Sequence, residues 1–106
     1  MGKETNAVIR TFASRVRKKF DTQKIILFGS RARGDWLKTS DYDFIIVSND
    51  FQGVHFLERQ VKVLLETKAY FAADMLCYTV EEFERKRKQA GIVSQALKEG
   101  IVVYSA

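Results

Sequence analysis

Two short, unbroken apolar runs constrain the fold of this chain more than any other feature. The first, Ile25-Ile26-Leu27-Phe28, belongs to a predicted strand over residues 24–28 and is followed by Gly29. The second spans residues 44–47 and is β-branched at three of its four positions. Runs this short without polar residues are typical of strands covered on both faces, as helices on each side of a sheet would cover them. We therefore expect an α/β fold.

The rest of the chain predicts helices and two further strands around these runs. Apolar residues at spacings of three and four predict helices over residues 6–20 and 54–68. In the second helix, the stripe that we expect to face the core consists of Val54, Leu57, Val61, Leu64 and Leu65. The remaining predicted elements are a strand at about 70–78, a helix from the Thr79/Glu82 capping box to about 89, a helix at 92–98 capped by Gly100, and an edge strand at 101–104. This order indicates a small mixed β-sheet with helices on its faces, α/β or, by some schemes, α+β.

Composition limits the classes of protein to which the chain can belong. Its 106 residues suit one domain, and 18 Lys and Arg against 13 Asp and Glu give a net charge of +5, which favours polyanionic partners. No apolar run reaches the roughly 18–20 residues needed to cross a bilayer, and the N-terminal residues lack the apolar core of a secretory signal. One cysteine and one histidine exclude a disulfide framework and a zinc site built from Cys and His. We expect a single domain over residues 1–106, located in the cytoplasm.

A turn and a short helix follow the first predicted strand. Gly29 stands where the backbone must turn, and it permits a close approach to a ligand that a Cβ would obstruct. Ser30 offers a hydroxyl and a backbone N–H at the start of a predicted helical turn over residues 30–33, and helix N-termini attract phosphate. Arg31 and Arg33 add positive charge to this turn. The segment is compatible with phosphate binding.

Two carboxylates lie at the start of the second predicted strand. Because side chains alternate along a strand, Asp41 and Asp43 share one face and Tyr42 lies on the other. Two close carboxylates repel each other, and burial increases the repulsion unless a cation lies between them. A hard divalent cation that takes oxygen ligands, above all Mg²⁺, fits this pair.

A third carboxylate interrupts the next predicted strand. Asp74 stands in an otherwise apolar run, where an unpaired carboxylate is costly. The same metal cluster is the partner that we expect for it. The alternative for Asp74 is a strand-end residue paired with a nearby Lys or Arg, and the alternative for the two earlier motifs is a tight turn followed by a solvated acidic loop.

Taken together, these motifs resemble the DNA polymerase β-type nucleotidyltransferase superfamily. The resemblance rests on Gly29-Ser30, ten intervening residues, Asp41-Tyr42-Asp43, and the lone strand carboxylate Asp74. Within the superfamily the chain is similar to the minimal nucleotidyltransferases, which are often partners of HEPN-domain proteins. The resemblance covers essentially the whole chain and implies the nucleotidyltransferase fold. Tyr42 stands where the family usually has an aliphatic residue, so we expect that face of the strand to be less deeply covered.

The resemblance implies an enzyme that transfers a nucleoside monophosphate to a hydroxyl and releases pyrophosphate, with AMP from ATP as the expected case. It implies that Gly29 and Ser30 hold the β- and γ-phosphates. Arg31 and Arg33 would aid the binding of ATP or another nucleoside triphosphate.

The resemblance also assigns the carboxylates. Asp41, Asp43 and Asp74 would be the catalytic residues and the ligands of two Mg²⁺ ions, for which Mn²⁺ can substitute. Asp74 would complete the metal bound at the attacking hydroxyl and accept its proton. Two cations about 3.5–4 Å apart suit an in-line displacement at phosphorus.

A protein partner follows from the same resemblance. In a chain of this length we expect no second domain to present the acceptor hydroxyl, so a HEPN-domain protein would carry it. The two proteins would form a toxin–antitoxin pair, as a hetero-oligomer, and a homo-oligomer stays open.

Two other classes of function remain open. One is a non-catalytic, antitoxin-like subunit that inhibits its partner by contact. The other is a basic nucleic-acid-binding domain that holds RNA phosphates. The basic residues at 18–19 and 85–88 are more typical of solvated helix faces than of a nucleic-acid surface, so a nucleic-acid partner is the less favoured class.

Overall fold

The computed structural model of the protein describes residues 3–34, 41–69 and 71–106, with only the backbone of residues 3–6. The elements in chain order are α1 (Lys3–Lys19), β1 (Thr22–Phe28), α2 (Ser30–Arg33), β2 (Tyr42–Ser48), a 3-10 helix (Asn49–Phe51), α3 (Phe56–Thr67), β3 (Ala73–Tyr78), α4 (Val80–Arg87), α5 (Ile92–Glu99) and β4 (Ile101–Ser105). The predicted helices and strands are thus present in the predicted order. The third strand begins at Ala73 rather than at 70, and Tyr70 lies outside the described residues. Within the described ranges, no helix is long and apolar enough to cross a membrane.

The four strands form one sheet in the order β3-β2-β1-β4. Strand β1 pairs antiparallel with β2 and with β4, whereas β2 and β3 run parallel, so the sheet is mixed as predicted. Side chains alternate between its faces. Ile25 and Leu27 belong to the core that α1 covers, and Ile26 belongs to the core that α4 and α5 cover. The apolar runs are continuous because both faces of these strands are buried.

Helix α1 packs on the sheet through the stripe that its sequence predicts. Ile9, Phe12, Ala13 and Val16 are all buried in the core. The rings of Phe12 and Phe44 lie 4.7 Å apart between centroids, which ties the helix to β2. Burying each large apolar side chain contributes about 1.5–3 kcal/mol, so this stripe accounts for the position of the helix.

The predicted core face of α3 is wrong. The side chains of Leu57, Val61 and Leu65 are 68%, 50% and 73% exposed, and we call these three residues the exposed stripe. The residues that the helix buries are Arg59, Val63 and Thr67. Both sets recur every four residues but are offset by two, which is roughly 200° around a helix. The helix also begins at Phe56, so Val54 lies outside it, and of the predicted stripe only Leu64 packs within α3 against the core.

Polar side chains explain why α3 turns this face inward. The helix lies along the open edge of β3, and Gln60 Oε1 accepts a hydrogen bond from the Met75 N–H at 3.3 Å. Arg59 Nη1 donates to the Cys77 carbonyl at 3.0 Å. The backbone groups of an edge strand need hydrogen-bond partners, and these two side chains of α3 supply them to β3.

The ends of the last helices show why particular residues stand there. Thr79 and Glu82 form the predicted capping box at the start of α4. Gly100 does end α5, as predicted, but its backbone is extended rather than left-handed. A Cβ on Gly100 would overlap the Ala96 carbonyl and press on the Leu27 carbonyl, so glycine is needed here for close packing of α5 and β4 on β1.

Candidate active site

Two of the three predicted carboxylates lie side by side. Asp43, the second residue of β2, pairs in register with Asp74, the second residue of β3. Because paired residues on adjacent parallel strands point to the same face, both side chains lie on the face covered by α4 and α5. Both line a cleft of about 330 Å³ whose other walls come from α3, β3 and the ends of β1 and α5.

Gly29 lies directly against one member of this pair, Asp43. Phe28, the last residue of β1, pairs in register with Asp43, so the turn after β1 passes beside the carboxylate. Gly29 has a φ of +75°, and a Cβ at that position would overlap Oδ2 of Asp43. Its carbonyl accepts hydrogen bonds at 3.1 Å from the N–H groups of Ala32 and Arg33, which closes the short helix α2. Glycine is therefore required both by the backbone conformation and by the approach to Asp43.

The carboxylates form a region of concentrated negative charge. Burial raises the pKa of Asp43, and the charges of Asp74 and Asp41 raise it further, whereas Arg33 lowers it. Asp41 is exposed immediately before β2, and Ser40, the preceding residue of the motif, lies outside the described residues. Among the residues that the structure describes, no three His, Cys, Asp or Glu side chains are grouped so that they alone could hold a metal ion.

The predicted phosphate-binding residues occupy two different environments. Ser30 begins α2 beside Gly29 and is partly exposed, and Arg33 is exposed, with Nη1 4.0 Å from Oε2 of Glu99. Arg31 is buried, with its guanidinium carbon 4.1 Å from the centre of the Tyr42 ring. Arg33 is therefore the arginine of this turn that reaches solvent.

Tyr42 is covered more deeply than its sequence position predicts. The expectation that this face of β2 would be less covered is wrong, because the side chain is only 7% exposed. Phe71 packs edge-on against the ring at 5.2 Å between centroids, and Arg31 lies on it. An aromatic residue is accommodated here because a cation and a second ring enclose it.

Sequence reasoning did not identify the residues that complete the cleft. These are chiefly Phe56, Leu57 and Gln60 from α3 and Ile92 from α5. Gln60 reaches the cleft because its amide oxygen binds the Met75 N–H, next to Asp74. Of the apolar residues singled out in the sequence of α3, Leu57 lines the cleft, and the spacing of apolar residues assigned it to the core.

The basic residues at the ends of two helices lie outside the carboxylate cleft. Arg17 and Lys18 line a separate cleft of about 430 Å³ near the start of β1, where Arg17 lies 4.0 Å from the ring centre of Tyr104. At the end of α4, residues 85–88 are exposed, and Arg87 pairs with Glu84 at 2.9 Å. This agrees with solvated helix faces.

Comparison with known proteins gives the family. The family model described as "Nucleotidyltransferase domain" matches residues 9–103. The Methanocaldococcus jannaschii protein named "Putative protein adenylyltransferase MJ0604" is 34% identical over 99 residues, which cover 91% of this chain and 94% of that protein.

Solved structures share the fold. One is the crystal structure of "a putative nucleotidyltransferase from Sulfolobus solfataricus". It superposes with a TM-score of 0.64 and 21% identity, covering 99% of this chain and 90% of the other. A crystal structure of a toxin–antitoxin with AMP-PNP superposes with a TM-score of 0.60 and 18% identity, covering 92% of this chain and 73% of the other. Because the family model matches nearly the whole length of this chain and a relative is 34% identical to it, this chain belongs to the nucleotidyltransferase domain family and is a nucleotidyltransferase.

Proposed function

We propose that this chain transfers AMP from ATP to a hydroxyl of a partner protein, in a reaction that depends on a divalent cation and releases pyrophosphate. The observation that carries the proposal is the pairing of Asp43 with Asp74 beside the Gly29 turn. The name of the Methanocaldococcus relative supports both AMP and a protein acceptor. A structural neighbour bound to AMP-PNP, an analogue of ATP, agrees with an adenine nucleotide.

The carboxylates fit a hard divalent cation such as Mg²⁺, or Mn²⁺ in its place. Asp43 and Asp74 offer oxygen ligands from adjacent strands, and Asp41 lies near enough for its charge to raise the pKa of Asp43. Mg²⁺ is commonly held by one or two carboxylates together with substrate phosphates and water, so a complete cage of protein ligands is not needed. When bound, the cation would supply neutralisation of the charge on the carboxylates and on the triphosphate.

The residues of the chain have different roles on the two sides of Asp43. We assign the β- and γ-phosphates to Gly29 and Ser30 on the β1 side, with Arg33 as the exposed cation beside them. Arg31, buried against Tyr42, would support this turn from behind. These assignments use the positions of α2 and of the turn relative to Asp43.

Asp74 on the β3 side is assigned to the acceptor. The acceptor oxygen forms a bond to the α-phosphorus while the bond from that phosphorus to the oxygen bridging the β-phosphorus breaks. Pyrophosphate leaves, the acceptor carries AMP, and the hydroxyl proton passes to the Asp74 carboxylate. The atoms and charges balance without any other reactant.

A HEPN-domain protein in the cytoplasm is the partner that the family resemblance implies, and the toxin–antitoxin neighbour agrees with a paired protein. A second candidate function, inhibition of that partner by contact alone, is favoured by one observation. The exposed stripe of α3 presents apolar side chains to solvent, which is typical of a surface that binds another protein.

The deciding experiment incubates the chain with ATP labelled at the α-phosphate, Mg²⁺ and the protein encoded by the adjacent gene. We expect label on the partner with the wild-type chain and no label with Asp43→Asn. Asp21→Asn is the matched control, because it removes an exposed carboxylate at the opposite end of β1. If Asp43→Asn and the wild type neutralise the partner equally well and neither labels it, contact inhibition is the correct function.

A further inference from the structure

We propose that the cleft on the α3 side of Asp74 binds the acceptor, that Gln60 is a specificity-determining residue there, and that the acceptor is an apolar, hydroxyl-bearing segment of a protein. The inference rests on the proposed function and adds to it the entry side and the chemistry of the acceptor. Four observations lead to it.

The first observation is the position of the cleft relative to the turn. In the sheet, β2 carries Asp43 between β1 on one side and β3 on the other. Gly29 lies at the β1 side, directly against the Asp43 carboxylate. The cleft begins at Phe28, next to this turn, and extends past Asp43 and Asp74 to α3. With a triphosphate at the turn, the α3 end of the cleft, beyond Asp74, is left for the acceptor, so the attacking hydroxyl and the leaving pyrophosphate would lie on different sides of the α-phosphorus, as an in-line displacement requires.

The second observation is the charge of the lining. The cleft contains two carboxylates, and within the described part of the chain no lysine or arginine lines it. A nucleic-acid acceptor would bring further phosphates into a cleft whose described walls carry no basic side chain to pair with them. An uncharged acceptor is compatible with this lining, so the charge distribution favours a protein hydroxyl over a nucleic-acid end.

The third observation is the apolar rim. Phe56, Leu57 and Ile92 line the cleft and are 39%, 68% and 53% exposed. Leu57 also belongs to the exposed stripe of α3, so the apolar surface continues from the cleft along the outside of the helix. A free small molecule would cover the cleft alone, whereas a protein segment can cover the cleft and Leu57 together.

The fourth observation is the orientation of Gln60. Its Oε1 is held by the Met75 N–H at 3.3 Å, and the structure records no other hydrogen bond of this side chain among the described residues. The amide is therefore fixed at its oxygen and has two N–H donors left in a cleft that is otherwise apolar or acidic. These donors can hold a carbonyl or hydroxyl oxygen of the acceptor segment beside Asp74.

The test measures steady-state transfer of labelled AMP to the partner protein while the concentrations of partner and of ATP are varied separately. For Leu57→Ser and Gln60→Met we expect the KM for the partner to rise about tenfold or more, because each variant loses one contact that the acceptor would bury. A tenfold change in binding corresponds to about 1.4 kcal/mol. The KM for ATP and the melting-temperature rise on adding ATP with Mg²⁺ should stay at wild-type values.

Leu65→Ser is the matched control, because it makes the same change on the same exposed stripe but outside the cleft. An equal rise in the partner KM for Leu65→Ser and Leu57→Ser would overturn the inference and assign partner binding to the helix face as a whole. If Gln60→Met lowers kcat, ATP binding and thermal stability together, its role is structural and the assignment to Gln60 is wrong. Transfer with an unchanged partner KM in both cleft variants overturns the acceptor cleft alone, whereas no transfer by the wild-type chain overturns the proposed function as well.

Discussion

Gly29 and Asp43 are matched to each other across two strands. Asp43 pairs with Phe28 in register, and the next residue, Gly29, brings its backbone so close that a Cβ would overlap the carboxylate. Gly29 also has a positive φ of 75°, a backbone angle that residues other than glycine rarely adopt. The turn that we assign to phosphate and the carboxylate that we assign to metal are thus in direct contact, so a change in one must move the other.

Substitution of Gly29 by alanine should slow transfer about a hundredfold or more, with a moderate loss of stability. With φ 75° and ψ −158°, Gly29 lies in a backbone region that is essentially restricted to glycine, which costs a residue with a Cβ about 1–3 kcal/mol. The added methyl group also displaces the Asp43 carboxylate, and a displacement of about 1 Å at a reacting group can cost about a hundredfold in rate. AMP transfer to the partner and thermal melting measure the two effects separately.

Gly53→Ala is the control for this substitution. Gly53 has a φ of +77°, but a Cβ there would meet no atom within 4 Å. Both variants should lose stability through the positive φ, and only Gly29→Ala, which also meets Asp43, should lose transfer. Equal activity of the two variants would show that the contact between Gly29 and Asp43 has no part in the reaction.

Neutralising Asp43 should stabilise the protein in the absence of ligands. Burial, Asp74 and Asp41 raise the pKa of Asp43, so its ionised form is less favourable in the folded than in the unfolded chain. This penalty is fully present above the raised pKa and disappears as the pH falls below the unfolded value of about 3.9. Asp43→Asn should therefore melt a few degrees above the wild type at pH 7, and the two curves should converge in acid.

The control for charge removal is Asp21→Asn, at the opposite end of β1. An equal gain in melting temperature from this exposed position would mean that overall charge, rather than the cluster at Asp43, is responsible. A lower melting temperature for Asp43→Asn would contradict the description of the site as a region of unfavourable charge.

Mg²⁺ and ATP added together should stabilise the wild-type chain more than either alone. A ligand present at a hundred times its Kd stabilises the folded state by about 2.7 kcal/mol. In a domain of this size that corresponds to a rise in Tm of roughly 10 °C or more. The combination is needed because the cation relieves repulsion between the carboxylates and the triphosphate. Asp43→Asn should lose the joint effect, and a wild-type Tm that does not move at millimolar ligand would count against the metal-dependent proposal.

The features that could be predicted from sequence are the local ones. The apolar runs identify β1 and β2 because both faces of these strands are buried, and the spacing of Ile9, Phe12, Ala13 and Val16 gives the inward face of α1. The capping box of Thr79 and Glu82 involves residues three apart, so it is also visible in the chain. In the candidate site, the position of Asp43 at the start of β2 is local as well, because Asp43 directly precedes the second apolar run.

The features that could not be predicted depend on contacts between distant residues. The exposed stripe of α3 has the spacing of a core face, and spacing alone cannot show which side of a helix meets the sheet. The buried side instead carries Arg59 and Thr67, which are polar and give no apolar signal. Gln60 was missed for the same reason, since its place in the cleft depends on a hydrogen bond to Met75, 15 residues away.

Arg59 itself is held inward by Glu82 of α4. Arg59 Nη1 donates to Glu82 Oε1 at 2.6 Å and Nη2 to Oε2 at 3.3 Å, while the arginine side chain is only 7% exposed. The hydrogen bond from Arg59 lowers the pKa of Glu82, with a further contribution from the backbone of Thr79. This pair fixes the rotation of α3 and therefore determines which residues form the exposed stripe and the cleft.

Glu82→Gln should destabilise the protein by about 1.5–3 kcal/mol at neutral pH, since a charged hydrogen bond is lost and Arg59 stays buried. Because the pKa of Glu82 is lower in the folded chain, its contribution is present above the unfolded value of 4.5 and is lost as the pH falls through the folded value. The stability difference between wild type and variant, measured by urea unfolding, should therefore shrink as the pH is lowered below 4.5. Glu84→Gln on the same helix removes an exposed pair with Arg87 and should change stability by less than about 0.5 kcal/mol. A similar loss in both variants would mean that the buried pair does not hold α3 in its observed rotation.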